Sequence, residues 1–298
     1  MFTKLKISII YIIIIYLILQ LYVTKMKLKS KICICCLGKE ENRYIREFVS
    51  FYKKIGVDKI FLYDNNNING ERFDEVINDY IKDEYVNIVN WRGKKKPQLK
   101  FMNHCYNKNF KIYDWLIFYD IDEYIHLKYY SNIKLFLNKK TFSECQLIYL
   151  NLIIHTDNNH LKYENKSLFE RFPEIVPRNK PEGKKFEIKF ILKGNISNIK
   201  ITNQHYCNSK LKSCNGFGES NLSYDVYTKK PDLHYYYIDH FFSKSTEEFI
   251  DKIAKGDCRY RSHIKYNKIE RYFNQSEPKI EKINLIEKRL RLNLSKYK

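Results

Sequence analysis

From Lys31 to Asp120, short β-rich apolar runs alternate with amphipathic helical stretches, and this alternation narrows the fold more than any other feature. "KICICCL" (31–37) opens the series. "NRYIREFVSFYKKI" follows, with Tyr44, Ile45, Phe48, Val49 and Tyr52 at helical spacing. Gly56 stops that helix, "KIFLYD" (59–64) is a second strand and "NNNING" a turn-rich loop. "RFDEVINDYI" predicts a short helix, "YVNIVNW" a third strand, and Pro97 opens a helix through Asn109. "WLIFYD" (115–120) is the fourth strand. Strand and helix in strict turn predict an α/β chain: a mostly parallel sheet covered by helices on both faces, of the doubly wound kind. The second half is less regular. "CQLIYLNLII", "KFEIKFIL" and "NIKITNQHY" read as strands, "STEEFIDKIAKG" as a helix with a Ser245–Glu248 capping box, and "KIEKINLIEKRLRLNL" as a terminal helix.

In open α/β sheets ligands bind outside the carboxyl ends of the strands. Here Gly38-Lys39-Glu40-Glu41 follows the first strand, Asp64 ends the second, and Asp120, Asp122 and Glu123 end the fourth. Three acids in four residues need a reason in a chain of formal net charge +20. Residues i and i+2 of an extended segment point the same way, so Asp120 and Asp122 aim at one point while Ile121 faces the core. Two such carboxylates repel unless a cation lies between them. A hard divalent ion, Mn²⁺ or Mg²⁺, is the predicted metal, with positions left for phosphate oxygens. The competing reading makes the acids a strand cap that binds surface lysines.

Ile7 to Val23 is apolar except for Ser8 and Gln20, about the 20 residues that a spanning helix needs. No small-residue cleavage site follows, so it predicts an uncleaved single-pass anchor; the flanking lysines leave its orientation open. The lysines are spread rather than striped, and "RGKKKP" (92–97) reads as a solvated loop. Nucleic acid is therefore not the expected partner. Hydrophobic residues at 44% suffice for a core and exclude global disorder. Eight cysteines form no paired CxxC, which argues against structural zinc. Cys33 and Cys35 read as small buried strand residues, and Cys207 and Cys214 as a pair that can be bridged in a lumenal domain. Five Asn-x-Ser sequons, at Asn165, Asn195, Asn221, Asn274 and Asn293, lean lumenal as well.

Several segments in order resemble glycosyltransferase family 92, of the GT-A fold superfamily. They are "KEENRYIREFVSFYKKIGVDKIFLYDNNN", the single Gln98 before its helix, "DWLIFYDIDEYI", and "IDHFFSKSTEEFIDKIAKG". The similarity covers about Lys31 to Tyr260. It departs from the pattern at "LNLIIHTDNNH", where a Gly-containing acceptor-side segment is usual. It implies an anchor and stem in residues 1–30, a GT-A domain in 31–260, and a helical tail packed on it in 261–298. It also implies that Lys39, Glu41 and Gln98 line the nucleotide pocket, with Asp64 near the base or ribose. Asp120 and Asp122 would hold the metal and donor diphosphate, His240 or His205 would add a ligand, and Lys244 would contact diphosphate oxygens. Inversion at the anomeric carbon calls for a carboxylate base, for which Asp157 and Glu219 are the candidates.

The function so implied is metal-dependent transfer from a nucleotide sugar, a UDP-sugar first, to a glycan, glycoprotein or glycolipid at a membrane of Golgi or ER type. A nucleotidyltransferase with the same acid pair is the alternative, followed by a basic membrane-bound binding protein.

Overall fold

The computed structural model of the chain describes residues 13–16, 28–95, 97–176, 186–207, 210–220, 227–228, 234–255 and 264–297. β1 (Ile32–Gly38), α1 (Asn42–Lys54), β2 (Lys59–Asp64), α2 (Asp74–Lys82), β3 (Val86–Asn90), α3 (Gln98–Asn109) and β4 (Trp115–Ile117) follow the predicted alternation. Their strands pair in parallel in the order β3-β2-β1-β4. β1 shows why its sequence is apolar throughout. Ile32, Ile34 and Cys36 pack with Tyr44, Ile45, Phe48 and Val49 of α1. Cys33 and Cys35 pack on the other face with Phe101, Met102, Cys105 and Tyr106 of α3. A strand covered on both sides has no polar face to show.

β5 (Glu123–Leu127), α4 (Ile133–Leu137), β6 (Leu147–Ile154), α5 (Leu168–Arg171), β7 (Phe186–Lys193), β8 (Ser213–Asn215), β9 (Tyr227–Thr228) and β10 (Tyr236–His240) build the second half. The sheet continues β4-β7-β6-β10-β5. β7 runs antiparallel to both β4 and β6, and β10 is parallel to β6 but antiparallel to β5. The expected mostly parallel sheet is therefore correct for the first half only; the whole is mixed. "NIKITNQHY" forms no strand. The Asn103 side chain takes both backbone groups of Ile201, donating to its carbonyl at 2.8 Å and accepting from its N–H at 2.9 Å, which leaves no ladder to join.

α6 (Thr246–Ala254) begins at the predicted capping box: the Ser245 side chain accepts from the Glu248 N–H, and Glu248 accepts from the Ser245 N–H. α7 (Ile264–Phe273) and α8 (Ile280–Leu290) share a third core with it, in which Ile269, Tyr272, Ile283 and Ile286 meet Phe249, Ile250 and Ile253. Within the predicted anchor only residues 13–16 are described; they are helical and exposed. Among the described residues no helix is long and apolar enough to cross a membrane.

The cysteines pair differently from the expectation. Cys35 of β1 is bonded to Cys105 of α3, and Cys145 to Cys214 of β8, with Cα–Cα distances of 6.2 and 5.9 Å. Cys207 is buried and belongs to neither bridge, and its backbone N–H donates to the Tyr149 hydroxyl, so the expected Cys207–Cys214 pairing is replaced by Cys145–Cys214. Cys35 is likewise a cross-link rather than a small filler. Each bridge closes a loop of about 70 residues. Replacing either pair by alanine is expected to cost about 2–5 kcal/mol. Calorimetry with and without reductant checks this, and an unchanged melting temperature in reductant refutes the pairing.

Candidate active site

β4 stops at Ile117, three residues before the acids. Asp120, Ile121 and Asp122 form a turn, closed by the Glu123 N–H donating to the Asp120 carbonyl at 3.0 Å. The Glu123 carboxylate accepts from the Asp120 N–H, also at 3.0 Å. Ile121 faces the core as expected, and Gly38 makes room for it. A Cβ at Gly38 would lie 2.8 Å from Ile121 Cδ1 and 2.5 Å from Phe73 Cζ. The end of β1 thus seats the middle of the acid turn. The extended geometry assumed for Asp120 and Asp122 is corrected: in a turn, their carboxylates meet different cations.

Asp120 Oδ2 lies 2.7 Å from Lys189 Nζ of β7, and its Oδ1 lies 3.5 Å from Gln98 Nε2 at the start of α3. Lys189 also reaches Glu123 at 3.1 Å. Asp122 Oδ2 takes two ammonium groups, Lys252 of α6 at 2.9 Å and Lys244 at 3.1 Å. Three acids therefore face three lysines, which answers why a basic chain places them here. Burial opposes ionisation of Asp122, but Lys244 and Lys252 outweigh it and hold the carboxyl well below the usual range. Asp120 is likewise lowered against burial, through Lys189. Burial pushes Glu123 up to about 8 and Lys252 down to about 8. Two firmly ionised carboxylates beside three lysines leave a positive balance, suited to an incoming anion.

His240, at the end of β10, completes the cluster. Its Nε2 lies 3.7 Å from Asp122 Oδ1, and its buried Nδ1 has no hydrogen-bond partner. Burial lowers its pKa to about 3, so the ring is neutral. A neutral imidazole and a carboxylate oxygen, close but not bonded to each other, are a donor pair that fits Mn²⁺ or Mg²⁺. The Asp120 carboxylate, within electrostatic reach of both Asp122 and His240, adds a third donor group nearby. Among the described residues, no three His, Cys, Asp or Glu side chains already converge as a cation site. A cation held by these groups would take the rest of its shell from a ligand.

A cleft of about 660 Å³ adjoins this cluster between the β1–α1 loop and α6, lined among others by Lys39, Glu41, Arg43, Tyr44, Lys244 and Lys252. Lys39 donates to the Lys255 carbonyl at 3.2 Å, while Lys255 donates to the Lys39 carbonyl at 2.7 Å and to Glu41 at 3.1 Å. This reciprocal clasp ties the loop to the end of α6. Lys244 holds a left-handed backbone (φ 53°), which is uncommon for a side chain this long and recurs at functional sites.

The remaining predicted residues are distributed as follows. Asp64 is buried and held by Arg92 Nε at 2.8 Å and by the Asn66 N–H, so Arg92 is not the solvated loop residue it was expected to be. His205 stands beside β7, its Nδ1 3.0 Å from the Ile188 carbonyl, and burial lowers its pKa to about 4. It neighbours Lys189 rather than Asp122. Asp157 is fully buried against Tyr272 at 2.5 Å and Lys282 at 2.7 Å. Glu219 is exposed and bonded to Asn215; the adjoining Gly216 packs on Tyr236, the first residue of β10. About 13 Å of strand separates Tyr236 from His240. The structure therefore brings Asp120, Asp122, His240, Gln98 and Lys244 together, sets Lys39 and Glu41 in the adjoining cleft, and leaves Asp157 and Glu219 outside. Sequence patterns do not single out Lys189 and Lys252. The available signal for Lys189 was its place mid-strand between Ile188 and Phe190, where a charge needs a counter-ion.

Comparison with known proteins gives one family. The family model described as Glycosyltransferase family 92 matches residues 29–272. A family 92 protein of Oryza sativa subsp. japonica is 32% identical over 96 residues, covering 32% of this chain and 16% of that protein. One from Ricinus communis is 34% identical over 98 residues, covering 32% and 17%. The matched stretches thus span about a sixth of those relatives. The solved structure of S. aureus TarS 1-349 in complex with UDP-GlcNAc aligns over 82% of this chain and 71% of that one. At 13% identity and a TM-score of 0.37, that likeness is too low to argue from.

Proposed function

This chain belongs to glycosyltransferase family 92, and from that membership we propose that it transfers a sugar from a nucleotide sugar, a UDP-sugar first, to a glycan or glycoconjugate. The observation that carries this reading is Asp122, set between two lysines and a neutral His240 beside a cleft lined by charged side chains of both signs. Lys244 and Lys252 present ammonium groups along the cleft wall and are positioned to take phosphate oxygens as the donor enters. Asp120, Asp122 and His240 would hold Mn²⁺ or Mg²⁺. When bound, such a cation neutralises the negative charge that gathers on a departing diphosphate. Tyr44, whose ring lies 4.6 Å beneath the Lys244 ammonium, and the Lys39–Lys255 clasp also line the cleft and would limit how far the donor can move.

Two disulfides support folding in an oxidising, lumenal compartment. The exposed sequon asparagines Asn165, Asn195, Asn274 and Asn293 are consistent with it; Asn221 lies outside the described residues. We take the apolar Ile7–Val23 segment as the anchor that would hold the domain at the membrane.

A shell completed by a ligand makes ion and nucleotide interdependent. Mn²⁺ alone, or UDP alone, is expected to move the melting temperature little, and the two together by roughly 5–10 °C at saturating ligand. The same protein, given a panel of nucleotide sugars with Mn²⁺, is expected to release nucleoside diphosphate. Release of pyrophosphate, or turnover unaffected by EDTA, overturns the reading.

A further inference from the structure

The edge of the sheet opposite the acid turn carries a second, smaller cavity. It holds about 350 Å³ and is lined among others by Ser30, Asp114, Lys139, Lys140, Lys193 and Asn195. Ser30 precedes β1, Asp114 precedes β4, and Lys193 ends the antiparallel β7, so all three lie at the amino edge of the parallel strands. Lysines far apart in sequence gather here, and two of them meet carbonyls and aromatic rings rather than carboxylates. Lys139 donates to the Gly216 carbonyl at 2.9 Å, with its ammonium 4.6 Å from both the Phe142 and Tyr236 rings. Lys193 donates to the Ser143 carbonyl at 3.1 Å and lies 5.7 Å from the Trp115 ring. Asp114, the acid of the lining, already accepts from the Lys31 N–H at 2.7 Å. Burial lowers the pKa of Lys139, a cost that an incoming anion would relieve.

Position narrows the choice of anion. Ser30 stands seven residues after Val23, where the apolar segment ends, and seven residues reach at most about 25 Å. With that segment in a bilayer, the pocket lies within this reach of the headgroups. Its surroundings suit an interface. Leu28 is 38% exposed beside Lys29, and Ile112 is 54% exposed beside Lys111. The Ile112 loop is tied to the pocket wall: the Gly194 N–H donates to the Asp114 carbonyl at 2.7 Å, and the Asn195 N–H to that of Phe110 at 2.6 Å. Apolar side chains set among exposed lysines match the layered chemistry of a membrane surface. β1 spans seven residues, so the acid turn stands roughly 20 Å beyond this edge.

We propose that this pocket seats the phosphate of a phospholipid headgroup and holds the domain on the bilayer with its cleft turned away. The proposal rests on the anchor reading of Ile7–Val23. Lys139, Lys140 and Lys193 would take the phosphate oxygens, while Leu28 and Ile112 would enter the layer beside it. Asn195 lines the same pocket, so it is expected to carry no glycan although it opens a sequon.

The test places the full chain in nanodiscs of phosphatidylcholine with phosphatidylglycerol, and in nonionic detergent. A water-soluble reagent acetylates the lysines, and mass spectrometry maps them. Lys111, Lys139 and Lys140 are expected to react about tenfold more slowly in the discs. Lys94 and Lys95, past the far end of β3, are expected to react equally in both. The double variant Lys140→Gln, Lys193→Gln is expected to keep its melting temperature and lose the protection of Lys111 and Lys139. Each lysine counts for roughly fivefold in attraction to an anionic headgroup layer. Equal rates in discs and detergent overturn the proposal, and so does protection that survives in the double variant. A glycan on Asn195 of protein made in a glycosylating cell overturns it too. Inorganic phosphate in detergent is the last arm: protection by it, with none in the discs, marks a soluble-anion site and sinks the lipid assignment. Failure of the anchor reading looks different, because the chain then stays out of the discs altogether and the proposal falls with it.

Discussion

Asp122→Ala is expected to lower turnover by about 10³-fold or more while the chain stays folded. The carboxylate is 4% exposed and serves three roles at once. It anchors Lys244 and Lys252 through Oδ2, it faces His240 through Oδ1, and it is the strongest oxygen donor for the proposed cation. Its removal frees two ammonium groups and halves the donor pair. The fold is expected to survive at some cost in stability: the Lys252 side chain is already 22% exposed and can turn toward solvent in the cleft, while the buried Lys244 keeps Glu41 and Glu248 nearby and the Tyr44 ring beneath it. The contacts that seat the turn, Ile121 on Gly38 and Glu123 on the Asp120 N–H, do not involve the Asp122 side chain. Asp122→Asn separates charge from shape: it keeps an acceptor of similar size yet is expected to be nearly as inactive. Nucleoside diphosphate release measures activity and far-UV circular dichroism reports the fold. Full turnover in either variant would falsify the central role given to this residue.

The parallel half of the fold is legible because its physics is local. A strand covered on both faces is an unbroken apolar run, and a helix packed on one side carries its stripe every three or four residues. Thus β1, α1, β2 and α3 fall within a residue or two of expectation. The acids were legible as a cluster at the right sheet edge. Their partners were not, since Lys189, Lys244 and Lys252 arrive from strands and helices that sequence spacing does not bring near Asp120. The same holds for the cysteines. Cys207 and Cys214 are neighbours along the chain, yet Cys214 meets Cys145 because β8 lies beside β6. β5 and β10, five residues each, pair Glu123 with His240 and Tyr124 with Asp239. Their polar residues serve the site and blur the alternation by which a strand is recognised. Asp157 shows the opposite error: a loop acid in the acceptor-side half looked free in sequence and is among the most buried charges in the molecule.

Asp157→Ala is expected to cost about 3–5 kcal/mol, because it leaves Lys282 inside the protein with no counter-charge. Lys282 has no exposed surface and Asp157 has 1%. The carboxylate also accepts from the Tyr272 hydroxyl at 2.5 Å, so one side chain from the loop after β6 holds both α7 and α8. Lys282 would keep only the Glu277 carbonyl, at 3.0 Å. A buried ammonium in that state deprotonates or pulls its helix outward, and the melting temperature is expected to fall by roughly 10 °C. Asp157→Leu combined with Lys282→Met removes both charges and fills the space with apolar atoms. It is expected to recover most of the loss, since a buried ion pair gains little over a packed hydrophobic one. Tyr272 retains Thr246 as a partner at 2.9 Å in that variant. The double variant also decides between a structural and a catalytic Asp157. Its carboxylate is taken up by Tyr272 and Lys282 of the helices and by the Asn159 N–H of its own loop, and it does not line the cleft, so the restored protein is expected to transfer sugar at close to the unsubstituted rate. A double variant that melts normally yet turns over nothing would return Asp157 to the list of candidate bases.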